Sequence, residues 1–428
     1  MVWRGTEGRM KKIAMRVAFE WLDGDVWTAG LGYLKNILSA LRTLPDGELQ
    51  PILLTHSETD RDRCLKQLET FAPECCCLPA VSLTRWSPGW WNLQYQRLLR
   101  RGDTAPASAF DRFCAEYAID MVFRLRLNVI RGTRTPQLAW IPDFQHVHLP
   151  EMFSEQEVEV RNRTFGAAAR FANRVLLGSE DARKDFVNLF PKEADKARVL
   201  RFVSHISDRP PGPDEEDILR QYNLPAKFYF LPNQFWRHKN HEVVFRAVAL
   251  LKEKGIDVTV VCTGHPYDFR APAFAGDLLR SLSTLNIRDR VIILGLVPRE
   301  HVFALMRQSV AVINASRFEG WSTSVEECKS LGKGMILSDL PVHREQDPPR
   351  VSYFDPGDAG QLGSVLHARW SSGNPGPDYE LEETARAGFK RRQQNFARTL
   401  SELCNEVRSA SEEPAASNVT AASLQFNG

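Results

Sequence analysis

The sequence carries almost no excess of charge: 55 Lys and Arg stand against 53 Asp and Glu, a net +2. That balance excludes a polybasic nucleic-acid binder on global electrostatics and leaves only local patches. Long hydrophobic runs are missing as well. The apolar stretches at 258–261 and 291–296 fall far short of the ~20 residues that cross a bilayer. Residues 1–12 are polar and hold no apolar stretch, so no secretory leader is expected and the chain reads as cytoplasmic. None of the eight cysteines forms a Cys-x-x-Cys pair, which removes the usual structural zinc site; Cys262, in an apolar run, reads as a small buried hydrophobe. The nucleophile elbow, the P-loop and a complete GxGxxG are all absent.

What is present is alternation. Strand-like runs at 13–21, 50–56, 120–127, 138–144 and 174–178 are separated by helical stretches. One such stretch, 31–44, repeats Leu31, Leu34, Ile37, Leu38 and Leu41 at helical spacing. The rhythm restarts after a polar, proline-rich break at 207–216. Strands are then expected at 228–231, 258–262, 291–296 and 311–315, with helices at 241–254, 274–285 and 300–308 between them. Strand-then-helix order requires parallel sheets with crossover helices, hence α/β architecture with two Rossmann-like doubly wound domains facing across a cleft.

The domains are therefore placed as follows: a flexible extension at 1–12, a first Rossmann-like domain at 13–206, a linker at 207–225 and a second at 226–378. A C-terminal helix at 379–408 is expected to pack back toward the first domain, and 409–428 reads as a disordered tail.

The densest chemistry lies in Phe318-Glu319-Gly320-Trp321-Ser322-Thr323-Ser324-Val325-Glu326-Glu327, between a strand end and a helix start. Gly320 permits close backbone approach, and Ser322 to Ser324 supply capping groups and free amides suited to a diphosphate. Glu319 and Glu327 suit hydroxyls, although an ordinary capped helix with solvated glutamates has the same appearance. A basic loop, Trp236-Arg237-His238-Lys239, follows the first strand of the second domain and reaches the same rim. Cations there are what a leaving diphosphate needs when no metal neutralises it.

Together these segments resemble the retaining, nucleotide-sugar-dependent glycosyltransferases of family 4 (group 1), which have GT-B architecture and a Glu-x7-Glu motif. The resemblance spans 227–354 at the level of motifs and 13–205 more loosely. It implies that Glu319 contacts the transferred sugar and Glu327 the nucleotide ribose. It also implies that Gly320, Trp321, Ser322 and Thr323 place amides near sugar and phosphate, and that Lys239 holds the diphosphate. The arginine usually found five or six residues before that lysine is absent, Asn233 and Gln234 standing there, and Arg237 is the candidate substitute. Family members often carry a histidine at a strand end of the first domain that reaches the donor sugar. In Asp143-Phe144-Gln145-His146-Val147-His148 the candidate is His146, with His148 second and Asp143 its orienting partner. Gly30 and Gly32 are expected at the loop facing the cleft.

A metal reading of Asp143, His146 and His148 lacks a further nearby ligand and is set aside. Asp23-Gly24-Asp25 follows the first strand and reads as a surface turn rather than a metal–nucleotide signature. Residues 85–101 hold three tryptophans and a basic amphipathic pattern, open to a membrane surface, an acceptor sugar or simple core packing.

The resemblance implies a metal-independent glycosyltransferase without cofactor, taking a nucleotide-sugar donor and a carbohydrate or lipid-linked acceptor. Glycan or polysaccharide precursor assembly in the cytoplasm, with peripheral contact at the inner membrane face, is the process it suggests. The competing expectations are a sugar-nucleotide epimerase of the same fold and a non-catalytic GT-B scaffold.

Overall fold

Apolar, β-branched runs pair side by side in two all-parallel sheets. The computed structural model describes residues 14–25, 27–71, 73–78, 105–204, 215–268 and 270–412. In the first domain the strands are β1 (Met15–Glu20), β2 (Leu49–Thr55), β3 (Glu74–Cys77), β4 (Met121–Arg124), β5 (Gln137–Ile141), β6 (Arg174–Leu177) and β7 (Ala197–Val199). They lie in the order β3-β2-β1-β4-β5-β6-β7. In the second they are β8 (Tyr229–Leu231), β9 (Val260–Thr263), β10 (Val291–Gly295), β11 (Val312–Asn314), β12 (Met335–Ser338) and β13 (Val351–Phe354), ordered β10-β9-β8-β11-β12-β13. Both orders reverse direction once, between β1 and β4 and between β8 and β11. Loops diverge at such a reversal and open a crevice at the strand C-termini.

The two crevices are treated differently. Between β1 and β4, the Arg124 guanidinium donates to Glu20 at 3.0 Å, and both side chains are buried. Between β8 and β11, the loops instead bring up the basic turn and the Glu-x7-Glu segment.

The strands that the sequence placed are present, most of them shortened and β2 shifted by one residue. Four others carry weaker signals. β3 runs through Cys75–Cys76–Cys77 at the sheet edge, where thiols replace the usual branched side chains. β7, β12 and β13 are only three or four residues long. Cys262 is buried in β9, as expected.

Two boundaries move. The stretch read as linker contains a helix, Glu215–Gln221, and Ile218, Leu219 and Leu224 pack on the second core, so 215–225 belongs to that domain. The final helix runs Tyr379–Glu412, four residues into the stretch read as a tail. Phe396, Ala397, Leu400, Leu403, Cys404 and Val407 pack in the first domain's core. Closer to the start of the helix, Glu382 is bound by Arg307 of the second domain. A third reading is corrected: Asp23 is not a surface residue but is buried, held by Arg63 and by Gln67 at 3.1 Å. Residues 1–12, 85–101 and 413–428 lie outside the described residues. No described helix is long and apolar enough to cross a membrane.

Leu400 is fully buried in the first core although it lies beyond the second domain in sequence. Leu400→Ala is expected to cost about 2–5 kcal/mol, as truncation of a buried leucine does. Urea unfolding followed on the first domain measures it; a cost under ~1 kcal/mol would mean the helix only rests on the surface.

Candidate active site

At the β8–β11 reversal the two expected chemical groups meet. After β8 the chain makes a single 3-10 turn, Arg237–Lys239, and leaves it through Asn240 in the left-handed region (φ 57°). The Asn240 amide donates to the carbonyls of Ala315 and Pro356, and the Arg317 N–H donates to the His238 carbonyl. These bonds fix the turn against the segment that follows β11. Lys239 Nζ consequently donates to Glu319 Oε1 at 2.7 Å, with the side chains only 16% and 10% exposed.

Glu319 is held by more than the lysine. Ser316 Oγ donates to its Oε1 at 2.7 Å, and Asn314 Nδ2 lies at 3.3 Å. Burial opposes the carboxylate's charge most strongly, but Lys239, with His343 and His238 adding to it, brings the carboxyl down to about 2. Burial also pushes His238 well below its ordinary value, with Lys239 adding to the effect, so that imidazole is neutral beside the ion pair.

Glu327 lies one turn into the helix Thr323–Leu331. Burial raises its carboxyl above the ordinary value, with Arg299 pulling the other way through a 2.6 Å hydrogen bond. Glu327 is 6% exposed and Arg299 56%, so the arginine reaches in from solvent to cover the carboxylate. Among the amides expected to face a phosphate, that of Ser322 already donates to Gln346 Oε1 at 3.1 Å. The N–H groups of Trp321 and Thr323 have no acceptor among the described residues.

The loop between the glutamates is clamped by the first domain. A Cβ on Gly320 would meet the Pro142 carbonyl oxygen at 2.2 Å, so only glycine fits there. Ser179 Oγ donates to the Gly320 carbonyl at 3.0 Å, and Trp321 Nε1 donates to the Phe202 carbonyl at 3.0 Å. The Trp321 side chain is therefore spent on domain docking, leaving only its backbone for a ligand. His148, hydrogen-bonded to Asp185 at 2.8 Å, stacks on Phe318 with ring centroids 5.0 Å apart.

Several expected residues stand elsewhere. His146 is buried in its own domain, with Nε2 3.0 Å from Asn162 Oδ1 and its ring edge-on to Phe153 and Phe165. Asp143 does not orient it: that carboxylate accepts from Arg161 and from the Gln145 N–H. Asp143, His146 and His148 thus have three separate partners and do not converge on a metal ion. Among the described residues no three His, Cys, Asp or Glu side chains gather in that way. Gly30 and Gly32 lie inside the first helix, Thr28–Leu41, rather than in a cleft loop; a Cβ on Gly30 would strike the Trp27 ring. Arg237 is exposed and makes no side-chain contact with Glu319. Asn314, Ser316, Gln346 and Arg299 were not read from the sequence, and Ser179, the N-cap of the helix Glu180–Leu189, was not read as a partner of Gly320. Asn314 and Ser316 lie just before the motif, where short polar residues at a strand end were a usable signal; the others are distant in sequence and gave none.

Two facing parallel-sheet domains with the charged cluster at a switch point define the GT-B glycosyltransferase architecture. Residues 214–361, most of the second domain, match the family model of glycosyl transferases group 1. The fold matches HepE from Anabaena in complex with UDP and glucose, at TM-score 0.64 and 16% identity over 92% of this chain and 100% of that one. Sucrose-phosphate synthase from Thermosynechococcus elongatus gives the same four values. A glycosyltransferase from Rickettsia africae matches at TM-score 0.58 and 15% identity over 92% of this chain and 98% of that one. Comparison with curated proteins gives no sequence match.

Two outcomes are expected. The Glu319 carboxyl falls from 4.5 to about 2, so its stabilising contribution is full above 4.5 and is lost as pH falls through 2. Glu319→Gln should flatten acid denaturation across that span; an unchanged acid limb would show that the ion pair adds nothing. Gly320→Ala should separate the domains, read as a larger radius of gyration in small-angle scattering, and an unaltered curve would contradict the clamp.

Proposed function

We propose that the chain is a retaining glycosyltransferase that moves a sugar from a nucleotide-sugar donor to a hydroxyl of a carbohydrate acceptor, free or lipid-linked, without a metal ion. One observation carries the reading: Lys239 and Glu319 meet at 2.7 Å beside the start of the helix Thr323–Leu331. A cation and a helix N-terminus facing one crevice suit a diphosphate, and a carboxylate beside them suits sugar hydroxyls. The group 1 match over this domain and the UDP and glucose bound in HepE are consistent with such a donor.

Each group then has a task. Lys239 leaves Glu319 for the diphosphate and, with the Thr323 and Trp321 amides, stabilises the negative charge that builds as the sugar bond breaks. Glu319, freed of its counter-ion, accepts hydrogen bonds from the donor sugar. Glu327 exchanges Arg299 for the two ribose hydroxyls. The acceptor hydroxyl attacks from the face the nucleotide leaves, which retains the anomeric configuration and needs no enzymic nucleophile. His146 acts as a positioning residue, its bond to Asn162 anchoring the turn that presses Pro142 and Asp143 on Gly320. The docked first domain excludes water that would otherwise hydrolyse the donor.

Titration of UDP, GDP, TDP and ADP with and without EDTA tests the donor site. One nucleotide is expected to bind saturably, to survive EDTA, and to weaken in Lys239→Ala. Turnover of that variant should fall by ~10²–10³, as for loss of a charge-stabilising donor. Binding abolished by EDTA, or near wild-type transfer by Lys239→Ala, would sink the proposal.

A further inference from the structure

At the basic turn the two domains line a half-open cavity of about 270 Å³ that the reaction above does not use. The first domain contributes Glu151, Phe153 and Glu157, and the second contributes Arg237, Asp268 and Arg270. Counting charges alone would make this an anion or cation site according to which residues are free. The hydrogen bonds decide it.

Glu157 is engaged, since it accepts from both the N–H and the hydroxyl of Ser154 in the capping box that starts its helix. Asp268 is buried; it accepts from the Arg237 and Arg270 N–H groups and faces the Arg270 guanidinium. Arg270 also donates to Gln145 at 3.2 Å and lies over the Phe153 and Trp236 rings. Two charged side chains remain. Arg237 and Glu151 are both exposed, and neither has a side-chain partner among the described residues. They come from opposite domains and carry opposite charge.

A guanidinium and a carboxylate facing one small space suit a ligand that both donates and accepts hydrogen bonds and carries no net charge. A sugar ring has that chemistry: vicinal hydroxyls accept from a guanidinium and donate to a carboxylate. A phosphate or a carboxylate would meet Glu151, Asp268 and Glu157 with only two cations among them, one of which is committed to Asp268. We infer that the Arg237–Glu151 cavity is a subsite for an uncharged sugar residue of the acceptor, and that Arg237 serves this subsite rather than the donor diphosphate. The inference rests on the transferase reading above for the word acceptor; the cavity's preference for a neutral sugar does not.

Two measurements on the full chain separate the possibilities. The first is the UDP dissociation constant of wild type, Arg237→Ala and Lys239→Ala. Arg237→Ala is expected within about twofold of wild type, while Lys239→Ala weakens binding at least tenfold. A tenfold loss in Arg237→Ala would overturn the assignment by returning that residue to the diphosphate. The second is saturation-transfer NMR with methyl α-D-glucopyranoside and methyl α-D-glucuronide, with and without UDP. The neutral glucoside should give the stronger signal, and Glu151→Gln and Arg237→Ala should each remove most of it while melting temperatures stay unchanged. A preference for the glucuronide, no signal from the glucoside, or a signal indifferent to both variants would overturn the subsite. Failure of wild type to bind any nucleotide would instead count against the transferase reading, since the NMR measurement without UDP stands apart from it.

Discussion

A lysine and a glutamate 80 residues apart in sequence share one hydrogen bond at the mouth of the second sheet, and most of what surrounds them exists to keep them there. Holding two charges in a largely buried setting is costly unless each is well partnered. The cost is met locally: Ser316 and Asn314 complete the carboxylate's bonds, and Asn240 ties the lysine's turn to the backbone after β11. The pair adds stability while Glu319 is ionised, but that is not its whole use. Its value lies in readiness, because an anion entering the crevice can take the lysine and leave the carboxylate free for hydroxyls.

The same economy governs the domain interface. The Glu319 loop could have been held by its own domain alone. Instead the first domain reaches it at Gly320 through Pro142 and Ser179, and takes the Trp321 indole against Phe202. Docking and donor-loop geometry are therefore one event. The long final helix reinforces this by crossing from Arg307 in one domain to the core of the other. Its burial of six apolar side chains is non-directional, whereas the Ser179 and Trp321 hydrogen bonds set the orientation in which the domains meet.

Much of the fold was legible because its signals are periodic. Parallel strands buried on both faces read as apolar runs, and the helices between them repeat at 3.6 residues. What escaped was short or atypical: the three-cysteine strand β3, three strands of three or four residues, and a helix hidden behind a proline-rich break. At the site, Lys239 and Glu319 were legible because each sits at a fixed distance from a strand end and a helix start. The placements of His146 and of the glycines Gly30 and Gly32 were not. A histidine's type does not report whether its neighbours will be Asn162 and two phenylalanines or a substrate, and two glycines spaced by one residue fit a helix as well as a loop. Gln346 and Arg299 could not have been found, since they reach the motif only through tertiary packing.

The central claim is that the diphosphate of the donor takes Lys239 from Glu319. A crystal structure of the chain with UDP bound tests it most directly. The account predicts a terminal phosphate oxygen within hydrogen-bonding distance of Lys239 Nζ and of the Thr323 N–H, with the Lys239–Glu319 contact lengthened and Glu327 on the ribose. A diphosphate resting instead on Arg237 and Arg270, with the Lys239–Glu319 bond intact, would contradict it.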